Sequence, residues 1–282
     1  MLETIFQAND ITEPICIRQY LKNNLGFSTS LIARVKFGGV YINETEVHMR
    51  AILNPCDKVK IIYPDEDSEN IKPIAIPLDI AYEDDYILAV NKPINMPVHP
   101  SKGNSLPTLA EAVRAYLNRP FVFRAVNRLD RDTSGLVIIA KDPLTAAILC
   151  RSIKAGEMKK IYLLIVEGIP TPSEGEIDAP IEREGEGCMK RIVREDGKSS
   201  QTKYRVIKAY GDGSSLVEAQ PITGRTHQIR VHMAHIGHPL LNDFLYGKRV
   251  ADGTYKLHCS TLEFEHPYTN EILRIVAKAP FG

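Results

Sequence analysis

The sequence contains few of the signals that mark secreted, membrane-spanning or metal-binding proteins. Its five cysteines are widely spaced and no two form a Cys-x-x-Cys pair, which argues against a disulfide framework and a cysteine zinc site. Apolar runs stay well short of the roughly 18 residues that a membrane helix needs. The N-terminus has neither the basic start nor the apolar stretch of a signal peptide. We therefore expect a soluble protein of the reducing cytoplasm.

Net charge is also lacking, because 35 Lys and Arg residues balance 35 Asp and Glu residues. The two signs are nevertheless segregated. Residues 12–64 carry seven basic and four acidic side chains, a balance of +3, and residues 220–258 carry five and two, again +3. Residues 65–89 carry one lysine and eight acids, a balance of −7. Local basic faces favour contact with nucleic-acid phosphates, although a simply mixed surface charge fits the same sums.

Residues 12–64 have the pattern of a small α/β RNA-binding module. Residues 14–24 show helical spacing, and STSLIARVKFGG combines a serine cap, a short helix and a Gly-Gly stop. VYINETEVHM then alternates as a hairpin, with the bend at Asn43-Glu44, and DKVKIIYP predicts a closing strand. The basic side chains on the two helices would meet phosphates or form a solvated face: Arg18, Lys22, Arg34 and Lys36.

After an acidic, proline-bounded linker at 65–76, strands and helices interleave over residues 77–282. Strands are predicted at YILAVNKP, SGLVIIAK, KKIYLLIVEG, QTKYRVIKAY and SSLVEAQPI, and a helix at DPLTAAILCRSIKAG. A glycine-rich phosphate loop and internal repeats are missing. Short connections between sequential strands favour an α+β domain with a mixed, largely antiparallel central sheet and flanking helices.

Asp130 is the first candidate for chemistry. It lies in NRLDRDTSG, at the entrance to the buried strand LVIIA, between Arg128 and Arg131. Neighbouring positive charge would keep this carboxylate ionised, and it could then act as a nucleophile, a base or an electrostatic stabiliser. A structural ion-pair network among these side chains fits the same residues.

The segment TGRTHQIRVHMAHIGHPLLNDFLYG holds further candidates. It predicts a helix whose first turn contains Arg225, where an active-site cleft often opens; a buried arginine that satisfies carbonyls is the alternative. His232, His235 and His238 are spaced by three residues. Zinc-protease helices have His-Glu-x-x-His instead, so we expect no metal site and favour hydrogen-bonded or RNA-facing histidines.

Tyr162 alternates with Ile161 and Leu163 on the strand KKIYLLIVEG. Its ring offers a face on which a base can stack. Core packing, with the hydroxyl at the rim, fits this spacing equally well.

Five segments in order give the chain a strong resemblance to the RluA/RluD-type RNA pseudouridine synthases, over nearly all of residues 12–280. These segments are VNKPINMPVHP, NRLDRDTSGLVIIAK, KKIYLLIVEG, the Thr223–Gly247 segment above and LHCSTLEFEHPYT. The N-terminal module resembles the small RNA-binding domain of a ribosomal small-subunit protein. The family usually has Asn-Gly at the hairpin bend, where this chain has Asn43-Glu44.

The resemblance implies a role for each matching residue. Asp130 matches the catalytic aspartate, Tyr162 the tyrosine that stacks on the target uracil, and Arg225 the arginine that pairs with the aspartate. Arg128 matches a residue that fills the space left by the flipped base. The family motif usually reads His-Arg-Leu-Asp, whereas this chain has Asn127; because Asp130 is intact, we expect activity to be retained.

The implied function is isomerisation of specific uridines to pseudouridine in structured RNA, with ribosomal RNA favoured over tRNA. No metal, nucleotide or redox cofactor is implied, and we expect a cytoplasmic monomer that has no membrane partner. A non-catalytic RNA-binding or ribosome-assembly protein with the same fold is the alternative from another class. A zinc hydrolase built on the histidine-rich helix is the third.

Overall fold

A computed structural model describes residues 2–63, 71–101, 105–119, 121–248 and 254–281. The helices in these ranges are α1 (Ile17–Asn23), α2 (Thr29–Val35), α3 (Leu109–Leu117), α4 (Pro143–Ala155) and α5 (Gln228–His235). The strands are β1 (Leu2–Gln7), β2 (Ile15–Cys16), β3 (Val40–Ile42), β4 (Thr45–Glu46), β5 (Ile52–Leu53), β6 (Lys58–Tyr63), β7 (Ile80–Glu83), β8 (Ile87–Lys92), β9 (Ser134–Ala140), β10 (Lys159–Glu167), β11 (Glu174–Asp178), β12 (Ile181–Arg183), β13 (Arg191–Val193), β14 (Gln201–Ala209), β15 (Ser214–Pro221), β16 (Leu257–Glu265) and β17 (Ile272–Val276). None of the described helices is long and apolar enough to cross a membrane.

The N-terminal residues form a small module with two helices and a four-stranded sheet in the order β1-β6-β3-β4. The Ser28 side chain accepts a hydrogen bond from the Leu31 N–H and caps α2, as the sequence predicts. The β3–β4 hairpin turns at Asn43 and Glu44, which both have positive φ. β1 precedes the expected start of the module at residue 12 and pairs antiparallel with β6 along its whole length.

The larger unit is built on a nine-stranded sheet with the order β11-β14-β15-β10-β16-β9-β8-β7 and with β17 paired to β16. The β9–β16 pair is parallel, while the other named pairs of this sheet are antiparallel. This arrangement confirms the predicted α+β class with a mixed, largely antiparallel sheet. β9 is buried at every position, so the LVIIA run is a central strand covered on both faces.

Helix α4 makes the packing contact between the larger unit and the small module. Asp142 caps its N-terminus by accepting from the Leu144 and Thr145 N–H groups, and Gly156 ends it in the left-handed conformation. Leu144 belongs to the hydrophobic core of the small module, and Ala147 and Ile148 pack against that core. The predicted linker 65–76 lies partly outside the described residues, and its described part, 71–76, contains no helix or strand.

Candidate active site

Asp130 lies in the loop that leads into β9, at the wall of a cavity of about 360 Å³. A turn closes behind it, where the Thr133 N–H donates to the Asp130 carbonyl. The fully buried Lys92 supports the same loop, because its ammonium donates to the carbonyl oxygens of Met96 and Arg131 at 2.9 and 3.1 Å. Burial lowers the pKa of Lys92 to about 8. The strand entrance thus holds the carboxylate at a fixed place in the cavity.

The charge partner of Asp130 is Arg230, not an arginine next to it in sequence. Arg230 Nη1 lies 3.4 Å from Asp130 Oδ2. Arg131 instead pairs with Asp132, with its Nε and Nη2 each 2.9 Å from a carboxylate oxygen. Arg128 is exposed at the cavity rim. Among the described residues, Asp130 therefore forms its ion pair with arginine at Arg230, and not with Arg128 or Arg131.

Arg230 is itself held on several sides. Its Nε and Nη2 donate to the two carboxylate oxygens of Asp243 at 2.6 and 2.8 Å. The rings of Tyr255 and Tyr246 lie 4.3 and 5.0 Å from its guanidinium carbon, at cation–π distance. Burial acts to lower the pKa of Arg230, but the hydrogen bonds and charge of Asp243 hold it above its ordinary value. A permanent cation therefore faces Asp130.

Arg225 does not pair with Asp130. Helix α5 begins at Gln228, so Arg225 lies before the helix and not in its first turn. Its Nε donates to the Ser199 carbonyl at 3.1 Å, and the residue is exposed at the cavity wall. The expected Arg225–Asp130 pair is thus wrong, because the buried face of α5 begins later and carries Arg230.

His227 is a second neighbour of Asp130, with its Nε2 3.7 Å from Oδ2. The Tyr246 hydroxyl accepts from the Arg191 N–H and lies 2.8 Å from His227 Nδ1. The neutral tautomer with its proton on Nε2 directs that N–H at Asp130 and lets Nδ1 accept from the Tyr246 hydroxyl. Burial lowers the pKa of His227, although the charge of Asp130 acts in the opposite sense.

Tyr162 lies on β10 and lines the same cavity as Asp130. The residue is 8% exposed, and burial raises the pKa of its hydroxyl well above the ordinary value. The structure therefore brings Asp130, Tyr162, Arg128 and Arg225 to one cavity, as the sequence predicts. Sequence reasoning missed Asp243 and did not single out Arg230 as the partner, because nothing in the sequence shows which arginine of GRTHQIR is buried.

The histidines of the Thr223–Gly247 segment have separate environments. His232 is fully buried, with its two ring nitrogens 2.9 Å from Thr202 Oγ1 and from the Ala179 carbonyl. His238 Nδ1 lies 2.9 Å from the Glu167 carbonyl, and His235 is exposed. Among the described residues, no group of three or more His, Cys, Asp or Glu side chains is arranged to hold a metal ion.

Buried histidines predict a loss of stability in acid. Burial lowers the pKa of His232 and of His258 below 6.5, so the unfolded chain binds more protons than the folded one once the pH falls below about 6.5. We expect the free energy of unfolding, measured in urea, to fall from pH 7 to pH 5 by up to about 1.4 kcal/mol per pH unit for each such histidine. His232→Gln should reduce this slope, whereas His235→Gln, at an exposed position, should not. Equal slopes for the two variants would contradict the assignment.

Asn127, at the position where the resemblance leads us to expect histidine, ties the Asp130 loop to β9. Its Nδ2 donates to the Leu136 carbonyl at 3.0 Å, and its Oδ1 accepts from the Ile138 N–H at 2.8 Å. The side chain is buried and thus completes two backbone hydrogen bonds in the core. An amide provides the donor and the acceptor at every pH, which a neutral imidazole can match and an imidazolium cannot.

Asn127→Leu should therefore destabilise the protein by about 2 kcal/mol or more, because it leaves a buried N–H and a buried carbonyl unpaired. The measurement is urea unfolding at pH 7. Asn127→His, which keeps a donor and an acceptor, should retain more of the stability than Asn127→Leu. If Asn127→Leu unfolds at the wild-type urea concentration, the two hydrogen bonds contribute nothing.

The cavity thus combines a carboxylate, a buried cation that pairs with it, an aromatic ring and a basic rim. A carboxylate so placed can add to an electrophilic carbon or remove a proton. The ring and the rim guanidiniums suit a planar base joined to phosphates. The fold and the cavity define an enzyme that can carry out carboxylate chemistry on a nucleotide.

Comparison with known proteins identifies the family. The family model for RNA pseudouridylate synthase matches residues 86–235. The uncharacterized RNA pseudouridine synthase YjbO of Bacillus subtilis is 37% identical over 94% of this chain and 95% of its own length. Ribosomal large subunit pseudouridine synthase C of Escherichia coli is 35% identical over 94% and 90%. The structure of human RNA pseudouridylate synthase domain containing 1 has a TM-score of 0.63 and 30% identity, over 73% of this chain and 85% of that one.

This chain belongs to the RNA pseudouridylate synthase family. It is an isomerase that converts uridine to pseudouridine, and its substrate is RNA.

Proposed function

We propose that the protein isomerises specific uridines of ribosomal RNA and that Asp130 is its catalytic carboxylate. The observation that carries the assignment is the placement of Asp130 and Tyr162 in one cavity, with Arg230 Nη1 3.4 Å from the carboxylate. A uridine must leave its stack to reach this cavity, at a cost of a few kcal/mol. The Arg230 guanidinium gives this carboxylate a cationic partner in the cavity.

Four side chains have separate roles in binding and converting the flipped nucleotide. Asp130 attacks or removes a proton, and Tyr162 stacks on the uracil. Arg128, exposed at the rim, reaches into the gap that the flipped base leaves in the RNA. Arg225, also exposed, contacts the RNA backbone and leaves the pairing with Asp130 to Arg230.

Three chemical routes fit this arrangement. Asp130 adds to carbon 6 of uracil, attacks the anomeric carbon, or removes a ribose proton to give a glycal. In each route the bond between N1 and the anomeric carbon breaks, and its electron pair stays on the uracil. The uracil then rotates and joins the sugar through carbon 5. The bond from Asp130 to carbon 6 or to the anomeric carbon breaks and frees the carboxylate, and in the glycal route Asp130 returns the proton to the ribose. Carbon 5 finally loses its proton and N1 regains one, so the product is an isomer of the substrate and no cofactor is consumed.

Ribosomal RNA is the favoured target because of the relatives and the small module. Two relatives with 35% identity are named as ribosomal large subunit pseudouridine synthases. The module carries basic side chains on α1 and α2, and a second contact raises the avidity for a large structured RNA. Transfer RNA is the alternative substrate for the same chemistry.

The test is to incubate the purified protein, with a chelator present, with unmodified ribosomal RNA and with unmodified tRNA, and to map pseudouridine. We expect pseudouridine at a small number of sites in ribosomal RNA and no effect of the chelator. Modification of tRNA alone would overturn the ribosomal assignment. Absence of isomerisation of either RNA by folded protein would overturn the proposal as a whole. Sedimentation of the same sample tests the expected monomer.

A further inference from the structure

Lys160 is a cavity residue that the proposed roles above do not use. It lies on β10 two positions before Tyr162, and both side chains line the cavity. The pairing of β10 with β16 shifts register between Ile161 and Tyr162, and both residues nevertheless line the cavity. A Cβ built on Gly224 would lie 3.8 Å from the Lys160 ammonium, so the amine sits beside the loop that carries Arg225.

The ammonium of Lys160 has no hydrogen-bond or ion-pair partner within the described part of the chain. Burial lowers its pKa below the ordinary value. Burial removes part of the water around this ammonium, and no carboxylate of the described residues takes its place. The charge therefore costs free energy in the protein without bound RNA. Two other buried cations of this region already have partners within the protein. Arg230 is bound by Asp243, and Lys92 donates to backbone carbonyls.

We propose that Lys160 donates a hydrogen bond to a carbonyl oxygen of the flipped uracil and stabilises the negative charge that the ring gains. This inference rests on the proposed function, because it requires a uracil stacked on Tyr162. A ring stacked there would lie in the same cavity as the Lys160 side chain, and its edge carries the carbonyl oxygens O2 and O4.

The uracil ring gains negative charge in all three routes. Attack at the anomeric carbon and elimination to a glycal both leave the electron pair of the broken bond on uracil N1, from which it spreads to O2 and O4. Addition of Asp130 to carbon 6 sends the electron pair of the C5–C6 double bond to the C4 carbonyl. A donor placed in advance at such an oxygen acts where charge develops. Once carbon 5 has lost its proton and N1 has regained one, the charge on the ring is gone.

The experiment compares Lys160→Met with Lys159→Met in the full chain. Lys159 is a matched control, since it is exposed and pairs with Glu263 at 2.7 Å. We expect Lys160→Met to reduce the single-turnover rate by about 10²–10³-fold and to leave the Kd for RNA within about twofold. Lys160→Arg should recover part of the rate, and Lys159→Met should match the wild type.

Stability and salt dependence separate the other roles. Since Lys160→Met removes an unpaired charge, the thermal midpoint of this variant should not fall below that of the wild type. If the midpoint does fall, and if Lys160→Arg loses as much rate as Lys160→Met, the role of Lys160 is structural and the proposal is overturned. If Lys160 binds an RNA phosphate instead, Kd would rise, the slope of log Kd against log salt would shrink by about one, and the bound-state rate would persist. A wild-type rate in Lys160→Met would overturn the proposal, whereas an inactive wild type would overturn the proposed function.

Discussion

Asp130→Asn is expected to lower the rate of pseudouridine formation by at least about 10³-fold and to leave RNA binding within a few-fold. The amide keeps the shape of the side chain but can neither attack carbon nor accept a proton at neutral pH. RNA affinity should persist because it comes mainly from phosphate contacts, which we assign to the basic side chains at the cavity rim and on the small module. Single-turnover rates and a filter-binding Kd on the same RNA measure the two quantities.

The control for this experiment is Asp85→Asn, which makes the same chemical change at an exposed position. It should have wild-type rate and affinity. Turnover by Asp130→Asn at the wild-type rate would refute the assigned carboxylate. Loss of RNA binding together with turnover would instead point to a positioning role for Asp130.

Arg230→Met should have the second large effect, on stability as well as on turnover. Asp243 is fully buried, and its carboxylate would lose two charge-assisted hydrogen bonds from Arg230. Breaking a buried pair by removing one partner typically costs about 3–5 kcal/mol. Urea unfolding should show a loss of this size, and turnover should fall because the Asp130 carboxylate loses the cation 3.4 Å away.

A double variant separates the two effects. Adding Asp243→Asn to Arg230→Met removes the unpaired buried charge, while the amide oxygen can still accept from the Leu245 N–H. The double variant should therefore be more stable than the sum of the two single losses predicts, by more than about 0.5 kcal/mol, but should remain inactive. Strictly additive losses would show that the two side chains do not act as a pair.

Most helices and strands could be predicted from residues close to them in the sequence. Asp142 and Gly156 lie where a helix start and a helix stop are expected, and α4 runs between them. The Asn43-Glu44 bend is likewise local and was predicted correctly. β1 was missed because its strand character depends on β6, which lies more than 50 residues further along the chain.

The sequence predicted which residues line the site better than it predicted which of them contact each other. Motif order placed Asp130 and Tyr162 in one site, and the cavity contains both. The partner of Asp130 was predicted wrongly because it depends on where α5 begins: a start at Gln228 puts Arg225 outside the helix and Arg230 on its buried face. Arg230 and Asp130 are 100 residues apart in sequence, and local pattern carries no information about such a contact.

The contact between the small module and α4 has a consequence for target choice. Leu144 is part of the core of the module, and Gly26 approaches so closely that a Cβ there would lie 3.3 Å from the Ala147 carbonyl. Packed side chains, and not the length of residues 65–76, therefore set the separation between the module and the cavity. If RNA binds the module as we propose, this packed contact would let only those uridines enter the cavity that lie at one fixed span from the point of attachment.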